Sequence, residues 1–218
     1  MTKTINVGID DVARGSLAGP MIFCLLSHND GSWLINNGAK DSKITTEAAR
    51  SNFYRFMKQE QREARAVWTY VVIQPAELDR LGYTKAVEIY LSEAIFDFRA
   101  KSGMNLNIKM DGSEFPLSIP QNSKISFVPR GDQTQALIAG ASMLAKELHD
   151  RHMGYLDQEY PDWGFDSNKG YYTEQHLKQI YRLGLTTQHR VKPSLTAVTT
   201  YYEKAHLEPP SWLSEKEK

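Results

Sequence analysis

The apolar residues of this 218-residue chain fall in short runs that break at aspartates or turn residues. None approaches the roughly 18 consecutive apolar positions a membrane-spanning helix needs. Ile5 to Ile9 stops at Asp10-Asp11, and a Gly-rich bend (Arg14-Gly15, Gly19-Pro20) leads to a second run, Met21 to Ser27, closed by Asn29-Asp30-Gly31. Short runs bounded by such residues read as strands. Ala64 to Ile73, Leu106 to Met110 and Ile125 to Val128 make three more, the last two ending at Asp111-Gly112 and Pro129-Arg130-Gly131-Asp132.

Between these runs the period changes. From Thr45-Thr46-Glu47 onward Phe53, Phe56 and Met57 recur at helical spacing, with Thr45 or Thr46 available as the cap. Tyr83 to Phe98 carries Ala86, Val87, Tyr90, Leu91, Ala94, Ile95 and Phe98, the stripe of a helix buried on one side. A long helix is expected from about Thr134 to Leu156, slim where Ala139-Gly140-Ala141-Ser142 lets a backbone come close, and a last one around Thr173 to Leu183. The pattern predicts a mixed five-stranded α/β sheet flanked by helices. Residues 1–200 are expected to form one domain, and 201–218 a charged, flexible tail.

Lys+Arg and Asp+Glu number 26 each, which removes a domain-wide basic excess as a sign of a nucleic-acid partner but says nothing about local fields. The single cysteine, Cys24, lies in an apolar run and reads as a buried small hydrophobe, which fits a reducing compartment. The first residues lack the apolar core of a signal peptide. A cytoplasmic, membrane-free protein is the expectation.

The acids carry the chemistry. Asp10, Asp11, Asp111 and Asp132 all stand at strand ends, where α/β sheets collect ligands. Packed carboxylates repel, and Mg2+ or Mn2+ with oxygen ligands would relieve that repulsion. Each acid alone also suits a turn, Asp111-Gly112 especially, so the metal reading draws on all four together. His149 and His152 share a helix face but lack a third ligand at suitable spacing, and no phosphate-cradling Gly-x-x-x-x-Gly-Lys-Ser/Thr loop occurs.

Residues 8–20, Gly8-Ile9-Asp10-Asp11-Val12-Ala13-Arg14-Gly15-Ser16-Leu17-Ala18-Gly19-Pro20, resemble the opening signature of type 2 ribonucleases H, usually G-I-D-E-A-G-R-G-P-L-A-G-P. Asp41-Ser42-Lys43, Met110-Asp111-Gly112, Arg130-Gly131-Asp132 and the helix 139–146 resemble further family motifs in order, as do residues 160–165, 168–173 and His189-Arg190. The resemblance spans about residues 5–195. It implies a ribonuclease H-like fold with a C-terminal helical segment. It also implies an endonuclease that cuts the RNA strand of RNA–DNA hybrids and incises 5′ to ribonucleotides embedded in duplex DNA, leaving 3′-hydroxyl and 5′-phosphate ends.

Carried over, the resemblance makes Asp10, Asp11, Asp111 and Asp132 both the catalytic residues and the ligands of a two-metal Mg2+ or Mn2+ site. Ala13, Arg14 and Gly15 would approach the 2′-hydroxyl, Tyr171 would lie against the ribonucleotide junction, and Lys43, Ser142, Lys146 and Lys169 would contact phosphates. A monomer is implied, with the tail open to a replication-clamp contact. Two positions depart from the family form: Asp11 replaces Glu, and Ala13 replaces the first Gly of G-R-G. They leave two other readings in play, a nuclease of the same superfold with altered selectivity and a catalytically weak hybrid-binding protein.

Overall fold

The computed structural model describes residues 3–40 and 44–214. The expected mixed sheet is present, in the order β3-β2-β1-β4-β5. Its strands are β1 (Thr4–Val12), β2 (Met21–His28), β3 (Ala66–Ile73), β4 (Asn105–Asp111) and β5 (Lys124–Val128). β1 lies at the centre, antiparallel to β2 and parallel to β4, which is in turn parallel to β5. The three parallel strands therefore send their carboxyl ends, and the acids on them, to one edge of the sheet.

The helices that follow β2 and β3 are α1 (Gly31–Asn36), α2 (Glu47–Arg62), α3 (Pro75–Leu81) and α4 (Tyr83–Ser102). After β5 come α5 (Gly131–Thr134), α6 (Ala136–Glu159), a 3-10 turn at Pro161–Trp163, α7 (Phe165–Asn168), α8 (Glu174–Leu183), α9 (Val191–Lys204) and α10 (Ser211–Ser214). Thr46 caps α2 by accepting the Ala49 N–H, and Thr173 caps α8 by accepting the His176 N–H. Both caps follow from a hydroxyl satisfying an orphan donor of the first turn.

Three expectations shift. β1 does not stop at Ile9 but runs through Asp10 and Asp11 to Val12, because these residues stay paired with Cys24, Phe23 and Ile22 of β2. The helix expected from about Thr134 starts at Ala136, because an extended Gln135 separates it from the short α5, and it runs on to Glu159. α9 has no counterpart in the sequence reading: it holds Pro193 and a run of β-branched residues, which weaken the helix signal. Proline is tolerated in the first turn, where its missing N–H has no partner to lose, and Val191 N–H finds its acceptor in Asp79 Oδ2 at 2.9 Å, 112 residues away in sequence.

The chain gathers into two compact units. The first comprises Met1–Val12, Ile22–Ile73 and Thr84–His149, and the second Ala13–Met21, Gln74–Tyr83 and Asp150–Lys218. In the first, both faces of β1 are covered, with Val7, Gly8, Ile9 and Asp10 all buried. The backbone of α6 presses onto that strand: a Cβ on Gly8 would lie 2.3 Å from the Leu137 carbonyl carbon, and one on Gly140 would lie 2.6 Å from Leu26 Cδ2. The glycine of the central strand thus makes room for the helix backbone, and Gly140 of α6 packs over Leu26 of β2.

In the second unit Leu17, Leu177, Ile180, Ala197 and Val198 form a core, and Tyr181, Tyr201 and Trp212 pack against it. Trp212 Nε1 donates to Tyr181 O at 3.0 Å, and the Tyr181 hydroxyl to Glu208 O at 2.9 Å. Through residue 213 the segment expected as a loose tail is therefore folded onto α8, because its aromatic residues have apolar surface to cover. No helix among the described residues is long and apolar enough to cross a membrane.

Gly8→Ala should cost roughly 2–3 kcal/mol, the usual scale of overpacking where backbone must move. Gly15→Ala, whose Cβ meets nothing within 4 Å, should stay within about 0.5 kcal/mol. Thermal unfolding that fails to separate the two variants would contradict this packing.

Candidate active site

The parallel register pairs Ile9 with Met110, so Asp10 and Asp111 follow as the next residues of neighbouring strands. Successive strand residues face opposite sides, so Asp10 turns toward α6 and is 6% exposed, while Asp11 is half-buried. Asp10 Oδ1 accepts the Asp11 N–H at 2.8 Å, and its carboxyl also takes a hydrogen bond from the Ser142 hydroxyl. Desolvation raises Asp10 to about 7 against that hydrogen bond, with the charges of Asp11 and Asp111 adding to the rise. A carboxyl in that position is fully ionised at neutral pH only when a cation compensates it.

Asp111 closes β4, and its Oδ1 accepts the Gly131 N–H at 2.6 Å. Arg130 takes the left-handed conformation, φ 56°, just before α5, and Asp132 follows as a buried residue, 4% exposed. A Cβ on Gly131 would fall 2.5 Å from Ile138 Cδ1, so a side chain there would make the Ile138 tip move aside. Asp132 also lines a cavity of about 750 Å³ with Lys40, Gln133 and Thr134.

Asp10, Asp11 and Asp111 are thus close enough for their charges to act on one another. Among the described residues no group of three or more His, Cys, Asp or Glu is spaced to hold a metal ion as it stands. The donor chemistry nonetheless fits Mg2+ or Mn2+, since every candidate is a hard carboxylate oxygen and no cation among the described residues offsets the buried Asp10. Ser142, expected at a phosphate, is buried and hydrogen-bonded to Asp10. Lys146 is half-buried on α6. Asp41-Ser42-Lys43 lies outside the described residues.

The remaining candidates belong to the second unit. Ala13 is buried at φ 66°, the left-handed geometry in which a methyl is strained, so its replacement of glycine is felt in this structure. Burial pushes the Tyr171 phenol up, partly offset by the Ala13 N–H that donates to its oxygen. Lys169 Nζ is bonded to Asp166 Oδ1 at 2.9 Å.

Loop 13–20 is held by residues that the sequence reading did not assign to the site. Gly170 O accepts the N–H groups of Leu17 and Ala18, and Gln188 O accepts that of Gly19. Arg190, 4% exposed, donates from Nη1 to Arg14 O at 3.0 Å and from Nη2 to Gly19 O at 3.1 Å. Ser194 Oγ donates to Leu17 O at 2.9 Å. A Cβ on Gly170 would lie 2.2 Å from Ala18 O, so the approach requires glycine there. The His189-Arg190 pair was visible as a motif, but nothing in the sequence shows that the arginine clamps both ends of a loop about 170 residues earlier.

His189 and His176 brace the same frame. Burial and the neighbouring His176 push His189 down to about 3, and burial lowers His176 as well. With both rings neutral, one proton arrangement satisfies every contact. Thr186 N–H donates to His189 Nδ1, His189 Nε2–H to His176 Nε2 at 3.2 Å, and His176 Nδ1–H to Tyr171 O at 2.9 Å.

A mixed sheet with parallel strands ending in aspartates, layered with helices, defines an α/β protein of the ribonuclease H-like fold. Solved structures agree. The chain matches ribonuclease HII in its PCNA complex from Archaeoglobus fulgidus with a TM-score of 0.66 at 20% identity, covering 86% of this chain and 94% of that one. It matches Bst-RNase HIII in complex with Mn2+ at 0.68 and 14% identity, covering 93% and 71%. At these identities the likeness shows the fold alone.

The family model of Ribonuclease HII matches residues 7–197, and the chain belongs to that family. Curated ribonucleases HII are 37% identical over 186 residues in Desulfitobacterium hafniense (strain Y51) and 32% over 183 residues in Staphylococcus epidermidis. Each match takes in 84% of this chain and 66% of the relative, so the chain spans about two thirds of their length. A third, from Pelagibacter ubique, is 30% identical over 85% of this chain and 94% of its own.

Two outcomes test this geometry. Ala13→Gly relieves roughly 1–2 kcal/mol of left-handed strain and gives back roughly 0.5–1 in unfolded-state freedom. Denaturant unfolding should therefore show a net gain of about 0.5–1 kcal/mol. A neutral, buried His189 lowered to about 3 stabilises the fold fully above its usual 6.5, and that contribution is lost as the pH falls from 6.5 toward 3. The wild-type protein should lose roughly 1.4 kcal/mol more per pH unit across that window than His189→Gln. Parallel stability curves would show that the ring is not held neutral.

Proposed function

We propose that this protein is a metal-dependent endonuclease that hydrolyses the RNA strand of RNA–DNA hybrids and incises 5′ to ribonucleotides embedded in duplex DNA. The carrying observation is the buried Asp10 beside Asp11 and Asp111 at the carboxyl ends of adjacent parallel strands, its ionisation suppressed by burial and like charge. Membership of the ribonuclease HII family supports the substrate class, and the Mn2+ complex of Bst-RNase HIII supports a divalent cation.

Asp10, Asp11, Asp111 and Asp132 would hold the metal. A bound pair of divalent cations supplies an acidified water and charge stabilisation at the leaving 3′ oxygen. The chain's own part is to keep the Asp10 carboxylate oriented, through Ser142 and the Asp11 N–H, and to hold Asp111 by the Gly131 N–H. Loop 13–15, clamped by Arg190, would present backbone groups to the 2′-hydroxyl, and Tyr171 would face the sugar. The family form carries the longer Glu at position 11, so Asp11 reaches less far toward a shared ion.

Strain at Ala13 favours a second reading, an enzyme of the same fold with a changed preference between single ribonucleotides and long hybrids. The Archaeoglobus fulgidus relative was solved with PCNA, and a sliding clamp is the corresponding candidate partner here.

The deciding assay offers duplex DNA with one ribonucleotide, a long RNA–DNA hybrid and all-DNA duplex, each with Mg2+, with Mn2+ and with EDTA. Both RNA-containing substrates should be cut only with metal, and Asp10→Asn or Asp111→Asn should lower the rate by at least about 100-fold while hybrid binding survives. Metal-independent cutting, or full activity in either variant, would sink the assignment. Ala13→Gly should alter the ratio of the two activities, and an unchanged ratio would remove the second reading.

A further inference from the structure

A cavity of about 460 Å³ in the second unit is lined by Arg14, Ser16, Asp79, Tyr83, Arg190 and Lys192. Three cations and one carboxylate line it; Asp79, whose Oδ2 accepts the first N–H of α9 from Val191, also acts on Arg190 through its charge, which leaves the cations in excess. Arg190 donates to the carbonyls of Arg14 and Gly19, which are neutral acceptors, so its buried charge is hydrogen-bonded but not neutralised by them. The Arg14 guanidinium lies 5.8 Å from the centre of the Tyr83 ring. The cavity also sits at the amino end of the 14-residue α9, where aligned peptide dipoles favour negative charge.

An independent observation points to a ligand. Ser16, 2% exposed, has its Oγ buried without a hydrogen-bond partner among the described residues, and it lines this cavity. The hydroxyl is near enough to the Tyr171 phenol to bear on its ionisation, but it is not in hydrogen-bonding geometry with it. A buried hydroxyl left unpaired costs roughly 1–3 kcal/mol, which an incoming acceptor would recover. Ser16 also stands where the family form quoted above has proline, so this donor is a feature of the present chain.

From this cationic, hydroxyl-bearing cavity we infer that Arg14, Ser16, Arg190 and Lys192 form a binding site for a phosphate ester. Guanidinium groups match the planar spacing of two phosphate oxygens, Ser16 offers a third donor, and the volume admits a phosphate with its attached sugar. The phosphate has two possible sources: a backbone phosphodiester of a bound duplex, or a free phosphate ester. The first rests on the proposed function; the second does not.

The test compares wild-type protein with Lys192→Gln and Ser16→Ala, using Lys178→Gln, a surface cation paired with Glu174, as the control. Binding of an RNA–DNA hybrid is measured in EDTA across a salt series, and thermal unfolding is followed with inorganic phosphate and with a deoxynucleoside 5′-monophosphate. For a backbone phosphate, Lys192→Gln should weaken hybrid binding about 3–10-fold and lower the salt slope by about 1, and Ser16→Ala should weaken binding about 2–5-fold, while Lys178→Gln changes neither. For a free ester, the mononucleotide should raise the wild-type Tm, and both cavity variants should lose that rise. Unchanged hybrid binding in both variants, together with no ligand-dependent Tm shift, would overturn the inference. Absent cleavage with an intact, variant-sensitive Tm shift would instead sink the proposed function and leave the site standing.

Discussion

The first unit depends on one steric contact, the approach of α6 to the central strand at Gly8, where even a methyl would strike the helix backbone at Leu137. The helix can lie that close because the strand carries glycine there, and the Ser142 hydroxyl of α6 reaches the Asp10 carboxyl. The same packing closes over Gly131, whose N–H fixes Asp111. Backbone packing thus sets the carboxylates more firmly than a flexible loop could.

Electrostatics works against that packing. Burying Asp10 among other acids is unfavourable for the isolated chain, and the group responds by holding its proton to about pH 7. Evolution tolerates such a cost where ligand binding repays it, and perturbed carboxyls in convergent geometry mark functional sites. The equal totals of acidic and basic residues conceal this, because a net sum does not record which charges are buried together.

The second unit solves a different problem, holding loop 13–20 in a shape that includes a strained alanine. Arg190, Ser194, Gly170 and Gln188 bond its backbone from separate segments, and the two neutral histidines carry that bracing to Tyr171. Strain of this kind persists only when the surroundings over-determine it. Carbonyls accept the hydrogen bonds of the buried arginine, with Asp79 acting on it only through its charge, and the cavity beside the loop also holds the Ser16 hydroxyl, which has no hydrogen-bond partner among the described residues.

Strand order of appearance, the caps at Thr46 and Thr173, and the slim segment 139–142 were legible in the sequence because periodicity, hydroxyl caps and small residues are local signals. The aspartates were legible because each ends or follows an apolar run; the left-handed conformation of Ala13 was not, since a backbone angle leaves no mark on residue type when alanine holds the position. Helix α9 was not, since its cap is supplied by Asp79 from far along the chain, nor was the folding of residues 201–213 onto α8. By itself, then, the sequence determined the five strands, the long helices up to α8 and the chemical types at the site. Only the tertiary structure decided that Asp10 is buried with suppressed ionisation, that Ser142 serves it, and that Arg190 clamps the loop. Each of these depends on partners distant in sequence, and burial and charge coupling are set by three-dimensional proximity, which no local pattern encodes.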